Sequence, residues 1–315
     1  MKVVQFDAVG KSRAGRLVLD ALSFELETSE IFGLIGPNGS GKSTAVSLLC
    51  GRLEPDRGTI RLPVPAASLI GYCPQELALY RDLLPAENLR FFARLHGMPA
   101  RRREARIAEL MSSLGLDAHA GTPAGALSGG SYRRMSIGCA LAHEPQVVVL
   151  DEPSAGLDLE ARHALWPVIR GLRADGTAVL LTTHHLDEAE QLCTRIGFID
   201  RGRLLAAGTP QQLIAHVPAR AVATIETAQP DAAAQRARAH GCLPRLHGER
   251  LLCLLPQEQS LRRVIDAFDG LNVLSVSVRP IALEHAYLAA MGALRDADDA
   301  PPVAASTPTG AAQPD

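Results

Sequence analysis

Lysine is scarce in this 315-residue chain. Only Lys2, Lys11 and Lys42 are present, against twenty-nine arginines, so a lysine inside a motif is not there through general richness in the residue. The formal net charge is −2, which gives no bulk electrostatic reason to expect a nucleic-acid partner. Long apolar runs are also missing: no stretch approaches the roughly 18–20 apolar residues needed to span a bilayer, so any membrane role must be borrowed from a partner. The opening "MKVVQFDAVG" lacks a sustained apolar segment and does not read as a signal peptide. The six cysteines contain no C-x-x-C pair. Most stand in apolar surroundings, which points to buried thiols in a reducing compartment rather than to disulfides or zinc.

The length exceeds one average domain and suffices to bury a core. From Met1 to about Gly208, β-like apolar runs alternate with helical patterns, the pattern of an α/β fold. "VVVLDEP" (147–153) and "TAVLLTTHH" (177–185) read as buried parallel strands with polar residues at their C-terminal ends, where open α/β sheets place ligands. Between them "LEARHALWPVIRGLRAD" reads as a helical crossover that Pro167 should kink or delimit. Residues 83–127 carry the amphipathic helices "PAENLRFFARLHG" and "RRREARIAELMSSLGL" without intervening strands, which marks a helical insertion. Glu104 and Glu109 follow Arg101, Arg102 and Arg103 on the same helix, so that cluster reads as a solvated face. After about residue 215 the pattern becomes β-α-β-β-α-β, with strands at 221–227, 243–246, 250–255 and 271–278 and helices at 231–240 and 258–268. That order suggests a small ferredoxin-like module. The Asp-, Pro- and Ala-rich end, 294–315, reads as a disordered tail.

The chemistry starts at "LIGPNGSGKST" (34–44). Gly36, Pro37, Asn38, Gly39, Ser40, Gly41, Lys42, Ser43 and Thr44 follow the apolar run "IFGLI" and precede the helical run "AVSLLC". Strand, glycine-rich loop and helix together make a backbone nest for phosphate, with Lys42 reaching the β- and γ-phosphates and the Ser43 hydroxyl available to Mg²⁺. This motif alone does not separate kinases, GTPases, helicases and transporters. Asp151 is placed like the Mg²⁺-associated acid of P-loop enzymes, and Glu152 beside it is a candidate base, although a paired Asp-Glu at a strand end also fits a surface turn. His184 could sense a γ-phosphate or serve the structure. "LSGGSYRRMSIGCALAHEP" adds a second glycine-rich helix start, Ser128-Gly129-Gly130, before the run Tyr132 to Ala142. One nucleotide hardly needs two anion loops, whereas two chains opposed head to tail could each close the other's site.

On these residues the sequence resembles the ATP-binding cassette (ABC) ATPases over about residues 1–215. The motifs stand in family order: "GPNGSGKS" as Walker A, "GYCPQE" as the Q-loop, "LSGGS" as the signature, "VVVLDEP" as Walker B, "SAGLD" as the D-loop and "TTHH" as the switch. The resemblance implies a P-loop NTPase fold with a mixed sheet, an antiparallel β edge and a helical subdomain at about 83–140. It also implies two ATP molecules with Mg²⁺, sandwiched between two such subunits. Lys42, Glu152 and His184 would be catalytic, with Glu152 as general base and His184 as γ-phosphate sensor. Ser43, Gln75 and Asp151 would meet the metal; Gln75 would couple the site to the helical insertion; Ser128, Gly129 and Gly130 would close on the partner's ATP; Asp158 would link the two sites.

Three departures stand out. Arg13, in "GKSRAG", takes the place where the family usually stacks an aromatic ring on adenine, so weak base selectivity is expected. Ser131 replaces the common Gln of the signature. The segment between Walker A and the Q-loop is shorter than usual, so the antiparallel edge should be trimmed. One nucleotide-binding unit, no membrane span and a small C-terminal domain (216–293) fit the separate ATPase subunit of a bacterial transporter, peripheral on the cytoplasmic face of the inner membrane. Its partners would be a polytopic permease and a second ATPase subunit, identical or homologous, without nucleic acid. The flavour resembles the ABC-2 exporter group, including "ALEHAYLAAMG" near the end. The alternative is a soluble ABC ATPase of translation or DNA repair, which would usually carry two cassettes or a long coiled-coil insertion. For the C-terminal module, support of assembly is expected over ligand sensing.

Overall fold

The computed structural model describes residues 1–76, 79–247, 250–257 and 259–292; the tail expected over 294–315 lies outside the described residues. In chain order the elements begin with β1 (Lys2–Arg13), β2 (Arg16–Glu27), β3 (Ile31–Ile35), α1 (Lys42–Leu49), β4 (Arg57–Arg61), α2 (Ala66–Leu69) and β5 (Ile70–Cys73). The helical insertion supplies α3 (Pro85–Leu95), α4 (Ala100–Ser113) and α5 (Gly129–Leu141). Then come β6 (Val147–Asp151), α6 (Leu159–Ala174), β7 (Ala178–Thr183), α7 (Leu186–Leu192), β8 (Arg195–Asp200), β9 (Arg203–Gly208) and α8 (Pro210–Ala215). The C-terminal elements are β10 (Ala221–Thr227), α9 (Pro230–Ala239), β11 (Leu243–His247), β12 (Arg250–Leu255), α10 (Leu261–Ala267), β13 (Val273–Pro280) and α11 (Leu283–Ala290).

A six-stranded sheet in the order β5-β6-β7-β3-β8-β9 forms the centre, parallel except for β9, which runs antiparallel to β8. Every residue of β3, β6 and β7 is buried, which explains why those strands are continuous apolar runs rather than alternating ones. A three-stranded antiparallel sheet, β2-β1-β4, lies beside it. The two sheets are joined by a ladder of rings. Phe6 of β1 stacks on Phe24 of β2 at 4.4 Å, and Phe24 on Phe32 of β3 at 5.2 Å.

Two expectations are corrected. Of the kink or boundary expected at Pro167, the boundary is overturned, because α6 runs through it from Leu159 to Ala174. Burial of Leu165, Ile169 and Leu172 against the core outweighs a proline cost of about 3 kcal/mol, since each large apolar side chain contributes roughly 1.5–3 kcal/mol. The signature helix starts three residues earlier than Tyr132, so Gly129 and Gly130 form its first turn and Ser128 is its N-cap.

The last four strands pair in the order β11-β12-β10-β13, all antiparallel, with a small core built largely from Ala and Cys residues. That is the ferredoxin-like arrangement. α11 does not stay with it: Leu283 and Ala286 are buried in the same core as Ile31 and Phe198, and Tyr287 meets Phe198 edge-on at 5.3 Å. All six cysteines are free thiols, five of them buried.

Candidate nucleotide site and its relatives

The sheet order brings three loops together. β3, β7 and β6 are neighbours, with Ile35 beside Thr183 and Asp151 beside Thr182, so the phosphate loop, His184 and Glu152 all leave the sheet at one edge. They line a cleft of about 520 Å³ together with Asn38, Gly39, Gly41, Lys42, Ser43, Thr44 and Gln75.

The loop needs its glycines. A Cβ on Gly36 would fall 2.1 Å from the Ile199 carbonyl oxygen, and Gly41, at φ 110°, would press one 2.6 Å from Leu19 Cδ2. Lys42 opens α1, is only 5% exposed, and donates to the Gly36 and Pro37 carbonyls at 2.7 and 3.2 Å. Burial lowers its pKa, and the nearby Glu152 and Asp151 carboxylates partly offset that. An arriving phosphate thus meets an ammonium held by neutral carbonyls. Ser40 Oγ is buried in the same loop without a hydrogen-bond partner.

Glu152 is the hub of the cleft. Its carboxylate lies 3.9 Å from Lys42 Nζ and 3.3 Å from His184 Nδ1, and accepts a hydrogen bond from Gln75 Nε2 at 3.4 Å. Its backbone takes the left-handed conformation (φ 47°), a strain of about 1–3 kcal/mol for a non-glycine residue. The fold holds it there: Glu152 N–H donates to both the carbonyl oxygen and Oγ1 of Thr182, at 3.0 and 3.1 Å. Thr182 Oγ1 in turn donates to Asp151 at 2.5 Å, and Tyr72 reaches the other Asp151 oxygen at 3.4 Å. One threonine therefore holds both the Asp151 carboxylate and the Glu152 backbone.

The signature residues stand elsewhere. Ser128, Gly130 and Asp158 line a separate cavity of about 230 Å³ with Ser131 and Arg134. Ser128 caps α5 by accepting from Ser131 N–H, and Asp158 caps α6 by accepting from Ala161 N–H at 2.8 Å. Gly130 lets α5 approach α6, since a Cβ there would sit 3.1 Å from Ala161 Cβ. Arg13 ends β1 on the exposed face and does not line the nucleotide cleft; Val18 of the same hairpin does.

Sequence reading missed the residues that hold these groups. Thr182 and Tyr72 stand inside "TTHH" and "GYCPQE", but the motifs alone assign them no role. Glu188 is fully buried yet accepts from Ser154 and Thr183 Oγ1, tying the segment after Walker B to the segment before His184. Arg133, on α5, donates to the Pro74 and Gln75 carbonyls at 3.0 and 3.2 Å and so fastens the Q-loop to the signature helix. The acidic start of "HHLDEAE" and the arginine pair of "SYRR" were the available hints.

Known proteins agree with this geometry. The family profile described as "ABC transporter" matches residues 19–155. The "Nod factor export ATP-binding protein I" of Mesorhizobium japonicum is 38% identical over 297 residues, covering 92% of this chain and 86% of that protein. The protein of the same name from Burkholderia orbicola is also 38% identical, covering 92% and 97%. A solved ATP binding subunit of an ABC transporter superposes with a TM-score of 0.61 at 30% identity, over 67% of this chain and 91% of that one. At the level of fold alone, cbiO1 from Clostridium perfringens, part of the ABC transporter complex cbiONQ, superposes with a TM-score of 0.63 at 22% identity, over 68% and 91%. With a phosphate loop, a paired-carboxylate strand end and a signature helix in one chain, and with these relatives, the chain belongs to the ATP-hydrolysing, ATP-binding subunits of ABC transporters.

Proposed function

We propose that this subunit is an ATP-driven clamp that powers export through a polytopic membrane permease at the cytoplasmic face of the bacterial inner membrane. The observation that carries the reading is the division of labour between two clefts: Lys42, Gln75, Glu152 and His184 converge on one, while Ser128, Gly130 and Asp158 open on the other. Each chain therefore holds two different half-sites, and two chains opposed head to tail would make two whole ones. The second chain would be an identical subunit or a homologous ATPase.

In this reading the Gly36–Thr44 loop and Lys42 bind the ATP phosphates, and Ser128, Gly129 and Gly130 of the partner subunit close on the γ-phosphate. Ser43, Gln75 and Asp151 would hold Mg²⁺, which neutralises phosphate charge when bound. The donors are hard oxygens, as that ion requires. Among the described residues no cluster of three or more His, Cys, Asp or Glu could cage a metal alone, which suits an ion that brings phosphate and water ligands with it. Glu152 accepts the proton of the attacking water, His184 hydrogen-bonds the γ-phosphate, and Asp158 links the two sites. Losing that phosphate removes charge that both loops bind, so the clamp opens. The proposed division of labour is an ATPase domain over 1–215, including the helical insertion at about 83–140, and a small C-terminal domain over 216–293 that supports assembly.

Export is favoured over a soluble role in translation or repair because the relatives are named for Nod factor export; that cargo is a statement about those proteins. Among the described residues no helix is long and apolar enough to cross a membrane, so the pathway is assigned to the partner. Purification of the tagged chain from its own host's membranes tests this. A polytopic membrane protein in equal amount is the expected companion; recovery only as a soluble dimer, or with ribosomes or DNA, would overturn the transport role and leave the ATPase chemistry intact.

A further inference from the structure

Ser131 stands where the signature usually has glutamine; the residue is 3% exposed and its short hydroxyl lies at the centre of three polar groups. Ser128 Oγ donates to Ser131 Oγ at 3.1 Å, and Arg134 Nη2 donates to it at 3.1 Å. His119 Nε2 lies 3.2 Å from the same oxygen. Ser128 Oγ also accepts from Ser131 N–H at 3.3 Å. His119 belongs to the helical insertion, in a short 3₁₀ turn at Asp117–His119, outside every motif of the family.

A hydroxyl has one proton and two lone pairs, so the four groups permit two balanced arrangements. In the first, Ser128 and Arg134 fill both lone pairs of Ser131 Oγ, and Ser131 must spend its proton on an unprotonated His119 Nε2. The Ser128 proton is then engaged inside its own chain. In the second, His119 presents Nε2–H to Ser131 Oγ, Ser131 turns its proton to Ser128 Oγ, and the Ser128 lone pairs are filled by Ser131 N–H and Ser131 O–H. The Ser128 proton is now free to point outward. An exchange of the neutral ring between its two tautomers suffices to pass from one to the other.

We propose that His119 is a positioning residue for ATP-driven closure: through Ser131 it sets the direction of this hydrogen-bonded chain, and only with His119 as donor does Ser128 offer its proton to the γ-phosphate held by the partner. The inference rests on the sandwich reading above. It also gives the helical insertion a direct line to the phosphate.

The test uses the full chain carrying Glu152→Gln, which should accumulate the closed dimer with MgATP. To it are added His119→Gln, His119→Ala or His119→Glu, and the dimer dissociation constant is measured by sedimentation, alongside thermal midpoint and MgATP binding to the isolated subunit. Gln can donate and should stay within about threefold of the parent. Glu, an obligate acceptor when ionised, forces the first arrangement, loses one net hydrogen bond at each of two sites and should weaken the dimer about ten- to a hundredfold. Ala leaves Ser131 able to point either way and should fall between Gln and Glu. MgATP binding to the single subunit should not move. In a Ser131→Ala background, which removes the relay and keeps testing possible should His119→Ala fold poorly, the His119 variants should no longer differ. Equal weakening by Gln and Glu, or no effect of either, overturns the proposal. A Glu152→Gln parent that binds MgATP and never dimerises overturns the sandwich reading itself, and the inference with it.

Discussion

Lys42 shows how a single buried cation is kept ready for an anion. Two neutral carbonyls satisfy it, desolvation weakens its hold on its proton, and two carboxylates nearby keep it charged. His143 is the opposite case. Its ring stacks on His96 with centroids 3.7 Å apart and planes 7° apart, and burial, helped by His96, holds its pKa down from 6.5 to about 4. The sign of the consequence follows. Above pH 6.5 the ring is neutral both folded and unfolded and has no effect. As pH falls from 6.5 towards 4, the unfolded chain takes up a proton that the folded chain refuses, so stability is lost across that window and the loss is complete below it. The ring is only partly buried, so the whole effect is discounted to about 1–2 kcal/mol. His143→Phe, which keeps the stack, should flatten this part of the profile in urea denaturation between pH 7 and 4.5; an unchanged slope would contradict the assignment.

At the scale of elements, α5 is the strut between the two clefts. Ser128 caps its start, and one turn later Arg133 reaches the Q-loop carbonyls, so the signature helix and the Q-loop are tied together. Arg133→Met keeps the aliphatic stem and leaves two carbonyls without their donor. Stability should fall by about 1–3 kcal/mol, and phosphate release should slow severalfold while MgATP binding to the single subunit is retained. Turnover equal to the parent would show that Gln75 does not depend on this anchor. The same helix marks where sequence reading succeeded and failed. β3, β6, β7 and the phosphate loop were legible because a buried parallel strand followed by glycine-rich or acidic residues leaves a local signature. The start of α5 and the course of α6 through Pro167 were not, since helix propensity yields to burial. The partners of the site residues were also hidden: Tyr72 and Asp151 are 79 positions apart, Arg133 and Pro74 are 59, and no local pattern encodes such pairs.

At the scale of the molecule, the chain returns on itself. After β13 leaves the small antiparallel sheet, α11 packs Leu283 and Ala286 into the ATPase core, and His285 Nδ1 accepts from Ala282 N–H at 3.0 Å to fix the helix start. The C-terminal sheet is therefore bracketed by α8 and α11, both docked on the ATPase core. Of the β1–β2 hairpin, Val18 lines the cleft, while Arg13 is exposed at the end of β1. The central claim concerns two half-sites that only a second chain completes. Its most direct test is the sedimentation of the Glu152→Gln subunit with and without MgATP. A shift from monomer to dimer that requires the nucleotide is the predicted result. A subunit that binds MgATP at saturation and stays monomeric would contradict it.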